Sequence, residues 1–225
     1  NFVYSQQVNS TSLNQIEKIP TKTSDSISAV LKLADDIRRF EPLKFQRILK
    51  KVSNETQLTN SQQHLFNYLL GYDHAYNGRF DSAQTQLKSI LLSNASKDIK
   101  FRSSYTLVDV YARKKMWFEG LALIASNIKA SAFINNSDYF QAHLTTTIIF
   151  YKRMKQYEIS LHYINELLAQ TLSPKLNCVA KQLAIESNFH LNKLISSDPA
   201  IYIALNSCEK INDNMVSSII RIYQA

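Results

Sequence analysis

Hydrophobic residues recur every three or four positions along most of the chain, the spacing that places them on one face of an α-helix. The segment that begins at Ser26 shows this spacing at Ile27, Val30, Leu31, Ala34 and Ile37. Strand-type alternation is not a serious competitor in any segment. Residues 1–23 have little periodicity and are predicted to form an extended or flexible leader. Residues 24–225 are predicted to form a single helical repeat domain, truncated at its C-terminal end.

Capping signals divide the periodic region into helices. Thr59 or Ser61 can cap a third helix, and Gly78 suits the left-handed position that ends it. Asp198 followed by Pro199 is a cap with a first-turn proline, and this pair opens a tenth helix. Predicted helices before it include those at about 81–92, 116–128, 138–154, 156–170 and 176–194. A truncated eleventh helix follows near the end.

Composition supports an all-helical chain. The sequence has only 3 Gly and 4 Pro, too few for the turns of sandwiches, barrels or doubly wound folds. Its net charge of +8 is spread out, with the densest runs at 44–51 and 111–115. Spread charge favours solvated helix faces over a nucleic-acid site, although weak attraction to an anionic membrane surface stays open. No run of 18 apolar residues exists, so we expect no membrane insertion.

Three inter-helix turns share one register: "HAYNGRFDSAQTQL", "YARKKMWFEGLALI" and "YKRMKQYEISLHYI". Each has a ring at the first position and another six residues later. A small residue follows three positions on, and a large aliphatic residue four beyond that. The small residues are Ala83, Gly120 and Ser160, spaced by 37 and 40 residues. A shared register at similar spacing indicates a repeat.

These turns resemble the tetratricopeptide repeat over about residues 64–212. In that family small residues let paired helices approach closely, and aromatic residues wedge between hairpins. Gly71 and Gly78 match the family pattern in the first repeat, whereas Asn67, Val108 and Ile148 depart from it. The resemblance implies an all-α fold, a tetratricopeptide-like α-α superhelix of antiparallel helical hairpins.

The family register also assigns a ligand groove. Tyr68, Tyr72 and Tyr76 recur every fourth residue and would face the concave surface. The predicted groove residues are Tyr68, Tyr72, Tyr76, Arg102, Tyr105, Asp109, Arg113, Thr145 and Lys152. Tyrosine offers contact area at low rotamer entropy, and arginine can hold a carboxylate. An equally weighted alternative is that the tyrosines pack against neighbouring helices or an N-terminal segment.

No catalytic constellation is evident in the sequence. It contains no Gly-rich phosphate loop, HExxH, GxSxG or CxxC motif. We therefore predict a non-enzymatic chain with no catalytic residues, no cofactor and no metal. Asp35-Asp36 followed by Arg38-Arg39 is interpreted as a solvated charged face rather than a general-acid pair. Cys178 and Cys208 are predicted to remain unpaired, because a ninth helix reaching Leu194 leaves an axial mismatch of roughly 10 Å.

A second resemblance covers most of residues 26–225. The order "RRFEPLKFQRILKKV", "QQHLFNYLLGYDHAYNGRFDSA" and "ALNSCEKINDNMVSSIIRIYQA" is similar to the extracytoplasmic sensory region of bacterial GGDEF-domain proteins. It implies a periplasmic domain that binds a peptide, small molecule or partner protein. The full-length protein would then be a diguanylate cyclase, and this chain a fragment of it. We expect no nucleic-acid partner.

In that family a downstream transmembrane helix tethers the sensory region, and a homodimer fits this mode of action. Ligand binding would change the geometry of the repeats and so regulate cyclic di-GMP signalling. The alternative is a cytoplasmic repeat domain from a peptide-binding regulator or a protein-assembly scaffold.

Overall fold

The described part of the chain is all-helical. A computed structural model describes residues 24–54 and 57–224, and the predicted leader at 1–23 lies outside this range. Eleven helices occur in these residues. They are α1 (Ser24–Ile37), α2 (Pro42–Val52), α3 (Asn60–Tyr76), α4 (Phe80–Leu92), α5 (Lys97–Lys114), α6 (Trp117–Ser131), α7 (Ser137–Arg153), α8 (Tyr157–Leu168), α9 (Pro174–His190), α10 (Pro199–Glu209) and α11 (Asn214–Ile222).

Consecutive helices pack as hairpins. In the first part of the chain α1 packs on α2 and α3, and α3 packs on α4. Further on, α7 packs on α8, α8 on α9, α9 on α10, and α11 on both α9 and α10. The predicted fold class, an all-α array of helical hairpins, is confirmed.

Packing divides the chain into two compact units. Unit 1 holds the described residues up to Leu107 and unit 2 holds those from Val108 onward, with the boundary inside α5. Unit 1 therefore holds α1 to α4 and the first part of α5, and unit 2 holds α6 to α11. The assignment of 24–225 to one domain stays a prediction.

Local capping chemistry sets the helix ends as the sequence indicates. Thr59 caps α3 through a capping box with Gln62, in which each side chain accepts a hydrogen bond from the backbone of the other residue. Gly78 adopts φ 75° just beyond the end of α3. Asp198 accepts a hydrogen bond from the Ala200 backbone at the start of α10. These predicted caps are confirmed.

Small residues of the repeat register lie at buried helix contacts. Ala83 and Ser160 have no exposed surface. A Cβ atom on Gly120 of α6 would lie 2.1 Å from a ring carbon of Phe150 in α7. On Gly71 the nearest atom would be the Leu87 Cδ2 methyl group, at 2.8 Å. Gly71 therefore lies at a close approach to its own hairpin partner, as the register predicts, whereas Gly120 lies against the first helix of the next hairpin.

Gly120→Ala is expected to lower the free energy of unfolding by about 1–3 kcal/mol, as overpacking of a core does. The added methyl group meets the fully buried Phe150 ring, which cannot move aside as a side-chain end can. Urea denaturation measures the effect. Gly71→Ala is the comparison, because it meets only the end of Leu87 and should cost less. Equal losses in the two variants would contradict this account.

A disulfide bond joins Cys178 of α9 to Cys208 of α10, with the two Cα atoms 4.9 Å apart. The prediction that these cysteines remain unpaired is therefore wrong. The error lies in the length of the ninth helix, which ends at His190 rather than Leu194. At 1.5 Å per residue, Cys178 lies about 18 Å from that end, and Cys208 about 14 Å from Pro199. The axial mismatch falls to roughly 4 Å, within the reach of a disulfide.

The disulfide lies inside an apolar cluster that joins the last three helices. Both sulfur-bearing residues are fully buried. The cluster consists of Cys178, Ile185, Ile201, Ala204, Leu205, Cys208, Val216 and Ile220. The bond therefore crosslinks α9 and α10 beneath the packed face of α11.

Candidate functional site

The predicted groove residues fall into two groups. Five belong to unit 1: Tyr68, Tyr72, Tyr76, Arg102 and Tyr105. Four belong to unit 2: Asp109, Arg113, Thr145 and Lys152. Each group is described within its own unit.

In unit 1 the arginine of the predicted groove is part of a buried ion cluster. Arg102 of α5 and Arg38, which directly follows α1, both donate hydrogen bonds to Oδ1 of Asp35 in α1. Arg38 also donates to the backbone oxygen of Asp35. The Arg102 residue is 2% exposed, and the side chain of Asp35 is 17% exposed. We call Asp35, Arg38, Arg102 and the tyrosines around them (Tyr68, Tyr72 and Tyr105) the Asp35 cluster.

The tyrosines supply the walls of this cluster. The Arg102 guanidinium carbon lies 4.3 Å from the centre of the Tyr68 ring, and that of Arg38 lies 5.3 Å from the centre of the Tyr72 ring. Phe45 of α2 meets Tyr72 edge-on, with ring centres 6.1 Å apart. Cation–π contacts of this length stabilise a buried guanidinium.

Exposure differs along the tyrosine ladder. Tyr68 and Tyr105 are buried, Tyr72 is half-buried and Tyr76 is 50% exposed. Helix α1 packs against α3, and its Asp35 reaches the buried end of the ladder. Tyr68 and Tyr105 are therefore packed inside this structure, as the alternative interpretation of the tyrosines predicts. A role of these residues in binding a ligand stays a prediction.

Asp35 and Arg38 were missed as members of this site. Their interpretation as part of a solvated face is wrong, although Asp36 and Arg39 beside them are exposed. The sequence carried a signal for this: Asp35 and Arg38 lie four and seven residues after Leu31, on its helix face. Charged residues that continue an apolar stripe are expected to be buried and paired.

Burial and neighbouring charges act in opposite directions on the pKa values of Arg102 and Tyr68. Burial alone would lower the pKa of Arg102, but attraction to Tyr68 and Asp35 outweighs burial and raises it. Burial would raise the pKa of Tyr68, but Arg102 and Arg38 outweigh it, so that this pKa is lowered. Burial raises the pKa of Tyr105 and of Tyr72. The cluster is therefore electrostatically coupled around two permanent cations.

The unit 2 members are held in local pairs. Arg113 Nε donates to Asp109 Oδ2 at 2.7 Å, one helical turn away. Thr145 Oγ1 donates to a backbone oxygen within its own helix, at 2.7 Å. Lys152 of α7 lies 2.9 Å from Glu186 of α9. These contacts give the residues structural roles within unit 2, and a role in ligand binding stays a prediction for them too.

A buried histidine in unit 2 lies outside all the predicted sites. His143 of α7 is 1% exposed, and its Nδ1 lies 3.5 Å from the Thr147 hydroxyl. Burial lowers the pKa of His143 to about 4. In an unfolded chain a histidine has a pKa of about 6.5. Acid therefore protonates the unfolded chain before the folded one.

Protonation of His143 alone is expected to lower the free energy of unfolding by about 3 kcal/mol as the pH drops from 6.5 to 4. Above pH 6.5 both states are neutral at this residue and the full stability is present. Chemical denaturation of the wild type and His143→Gln at pH 7 and pH 4.5 measures the effect. The variant should lose less stability on acidification. An equal loss in both proteins would contradict the burial argument.

Within the described ranges, no group of three or more His, Cys, Asp or Glu side chains is placed to hold a metal ion. Across residues 24–54 and 57–224, no helix has the length and apolar character needed to cross a membrane. No protein-family model matches the chain, and no curated protein matches it.

Proposed function

We propose that this chain is a sensory or interaction domain that binds a peptide, a small molecule or a partner protein through the surface of α3 and α5. One observation supports this most directly. Arg102 of α5, which lies over the Tyr68 ring of α3, already binds the Asp35 carboxylate that α1 presents. Guanidinium groups and tyrosine rings are suited to carboxylate-bearing ligands. The accessible continuation of this surface is Tyr76, at the exposed end of the ladder.

A ligand panel tests the proposal. Acidic peptides and small carboxylates are screened by thermal shift, and binders are measured by calorimetry. Tyr76→Ala is expected to weaken a groove ligand by about tenfold and to leave the melting temperature unchanged. Phe118→Ala, which truncates an 83% exposed ring in unit 2, is the matched control. Ligands that bind Tyr76→Ala as well as wild type bind elsewhere, and the groove assignment then fails.

We propose a periplasmic location for the domain. The Cys178–Cys208 disulfide supports it, because disulfides persist in oxidising compartments and are rare in the cytosol of mesophiles. The sequence has no other cysteine. Quenching of cells in acid, followed by alkylation of the denatured protein without reductant and mass measurement, distinguishes the locations. Two alkylated cysteines would favour the cytoplasmic alternative.

We further propose that the domain regulates a diguanylate cyclase in a longer protein, as its resemblance to GGDEF-associated sensory regions implies. The complete reading frame is the first test, since a secretion signal, a transmembrane helix and a cyclase domain should all appear in it. The second test measures how the cellular concentration of cyclic di-GMP responds to ligand. Tyr76→Ala should change that response. A helix-turn-helix domain in the reading frame would instead favour the cytoplasmic regulator.

A further inference from the structure

Helix α2 exposes one face on which basic and large apolar side chains are combined. Leu43 is 73% exposed, and Arg47 and Lys50 are exposed on the same face, four and seven residues later. Arg39 and Phe40 are exposed in the turn just before the helix, and Phe40 is 54% exposed. We call these five residues the α2 surface. The helical stripe from Leu43 to Lys50 extends over about 10 Å.

The opposite face of α2 anchors the helix in unit 1. Phe45, Ile48, Leu49 and Val52 are all buried. The exposed stripe is therefore held in a fixed orientation by the core. A single exposed leucine is ordinary on a protein surface, whereas two large apolar side chains among three cations form a distinct pattern.

Acidic groups do little to cancel the charge of this surface. Helix α2 contains no Asp or Glu. Glu41, which precedes it, lies 3.3 Å from the Lys44 ammonium, and both side chains point largely away from solvent, at 21% and 9% exposure. Asp36 on α1 is an exposed carboxylate nearby in sequence. This single carboxylate is therefore outnumbered by three cations, Arg39, Arg47 and Lys50.

We propose that the α2 surface docks on an anionic lipid bilayer. Basic side chains are attracted to anionic headgroups, and apolar side chains such as Phe40 and Leu43 enter the boundary between headgroups and acyl chains. A nucleic acid would use the three cations but would give these two apolar side chains no comparable environment. The combination on an anchored helix and the turn just before it therefore favours a membrane surface. The docking is peripheral and weakens with salt.

Vesicle sedimentation tests the proposal on the chain as it stands. The protein is mixed at low salt with vesicles of phosphatidylcholine alone or of equal parts phosphatidylcholine and phosphatidylglycerol. It should sediment with the anionic vesicles only. The double reversal Arg47→Glu with Lys50→Glu should lower the partition coefficient at least about tenfold, since each basic residue contributes roughly fivefold. Phe40→Ser with Leu43→Ser should lower it about fivefold or more at unchanged charge.

Two control variants separate the α2 surface from general effects of charge and hydrophobicity. Lys129→Glu with Lys210→Glu changes the net charge equally at exposed sites in unit 2, and Phe118→Ser removes another exposed ring. Both controls should bind anionic vesicles nearly as well as wild type. Circular dichroism checks that every variant keeps its helical content.

Three results would overturn the proposal. One is wild-type protein that ignores anionic vesicles. Another is a loss in the control reversal as large as that in the α2 reversal, since this would indicate only general charge attraction. The third is binding that depends on Arg47 and Lys50 but is unchanged by the serine pair. Capture of an acidic peptide by the α2 surface without vesicle binding would assign the surface to an acidic partner instead.

Discussion

Loss of the Cys178–Cys208 disulfide is expected to lower the free energy of unfolding by about 4 kcal/mol. The bond closes a loop with a sequence separation of 30 residues. The chain-entropy treatment assigns about 3 kcal/mol to a loop of 15 residues and about 4.7 to one of 100. Because the bond joins two helices that already pack together, reduction mainly restores freedom to the unfolded chain. Guanidinium unfolding of oxidised and reduced protein, followed by circular dichroism, measures the difference.

A double variant, Cys178→Ala with Cys208→Ala, provides the control. It lacks the crosslink in both conditions, so reductant should leave its stability unchanged. It should also be less stable than oxidised wild type by at least the cost of the lost bond. If reductant leaves wild type as stable as before, the bond contributes nothing and its crosslinking role is refuted.

The effect of reduction is expected to concentrate in the C-terminal helices. The disulfide belongs to the apolar cluster shared by α9, α10 and α11. Backbone amide exchange should accelerate most in these helices when the bond is reduced. In a periplasmic protein the oxidised form would be the working form, which agrees with the location we propose.

Helices could be predicted from the sequence because several local signals agree at each one. Apolar periodicity agrees with a cap at Thr59 for α3 and with the Asp198-Pro199 start for α10. The repeat register located Gly120 correctly as a site of close packing, since only a residue without a side chain fits beside Phe150.

The end of α9 could not be read with the same certainty, and the cysteine prediction failed there. The helix stops at His190, and the following Asn192 adopts a positive φ of 55°. Asparagine tolerates this conformation, so it can end a helix without a glycine. A four-residue error in one helix end was enough to separate two cysteines that the structure joins.

Only part of the unit 1 site could be predicted, because the repeat register concerns only the repeat helices. It selected Tyr68, Arg102 and Tyr105, which do come together. It carried no information about α1, which precedes the repeats and contributes Asp35. A helix outside the repeat can only be placed through contacts between distant residues, and Asp35 and Arg102 are 67 positions apart.

Asp35→Asn is expected to cost about 3–5 kcal/mol of unfolding free energy, the range for breaking a buried ion pair by removing one partner. Asparagine keeps the shape of the side chain but removes the charge that both Arg38 and Arg102 contact. Two guanidinium groups would then repel each other at a site where Arg102 is almost fully buried. Urea denaturation at neutral pH measures the loss.

The chain provides a close control in Asp36→Asn. Asp36 is adjacent in sequence, lies on the same helix and is exposed, so its neutralisation should change stability by no more than about 0.5 kcal/mol. A double-mutant cycle then isolates the pair. Arg102→Met removes the buried cation, so in its background Asp35→Asn should cost about 1–3 kcal/mol less. If the two asparagine variants are equally stable, Asp35 does not hold α1 against the tyrosine ladder, and α1 must be retained by its apolar face alone.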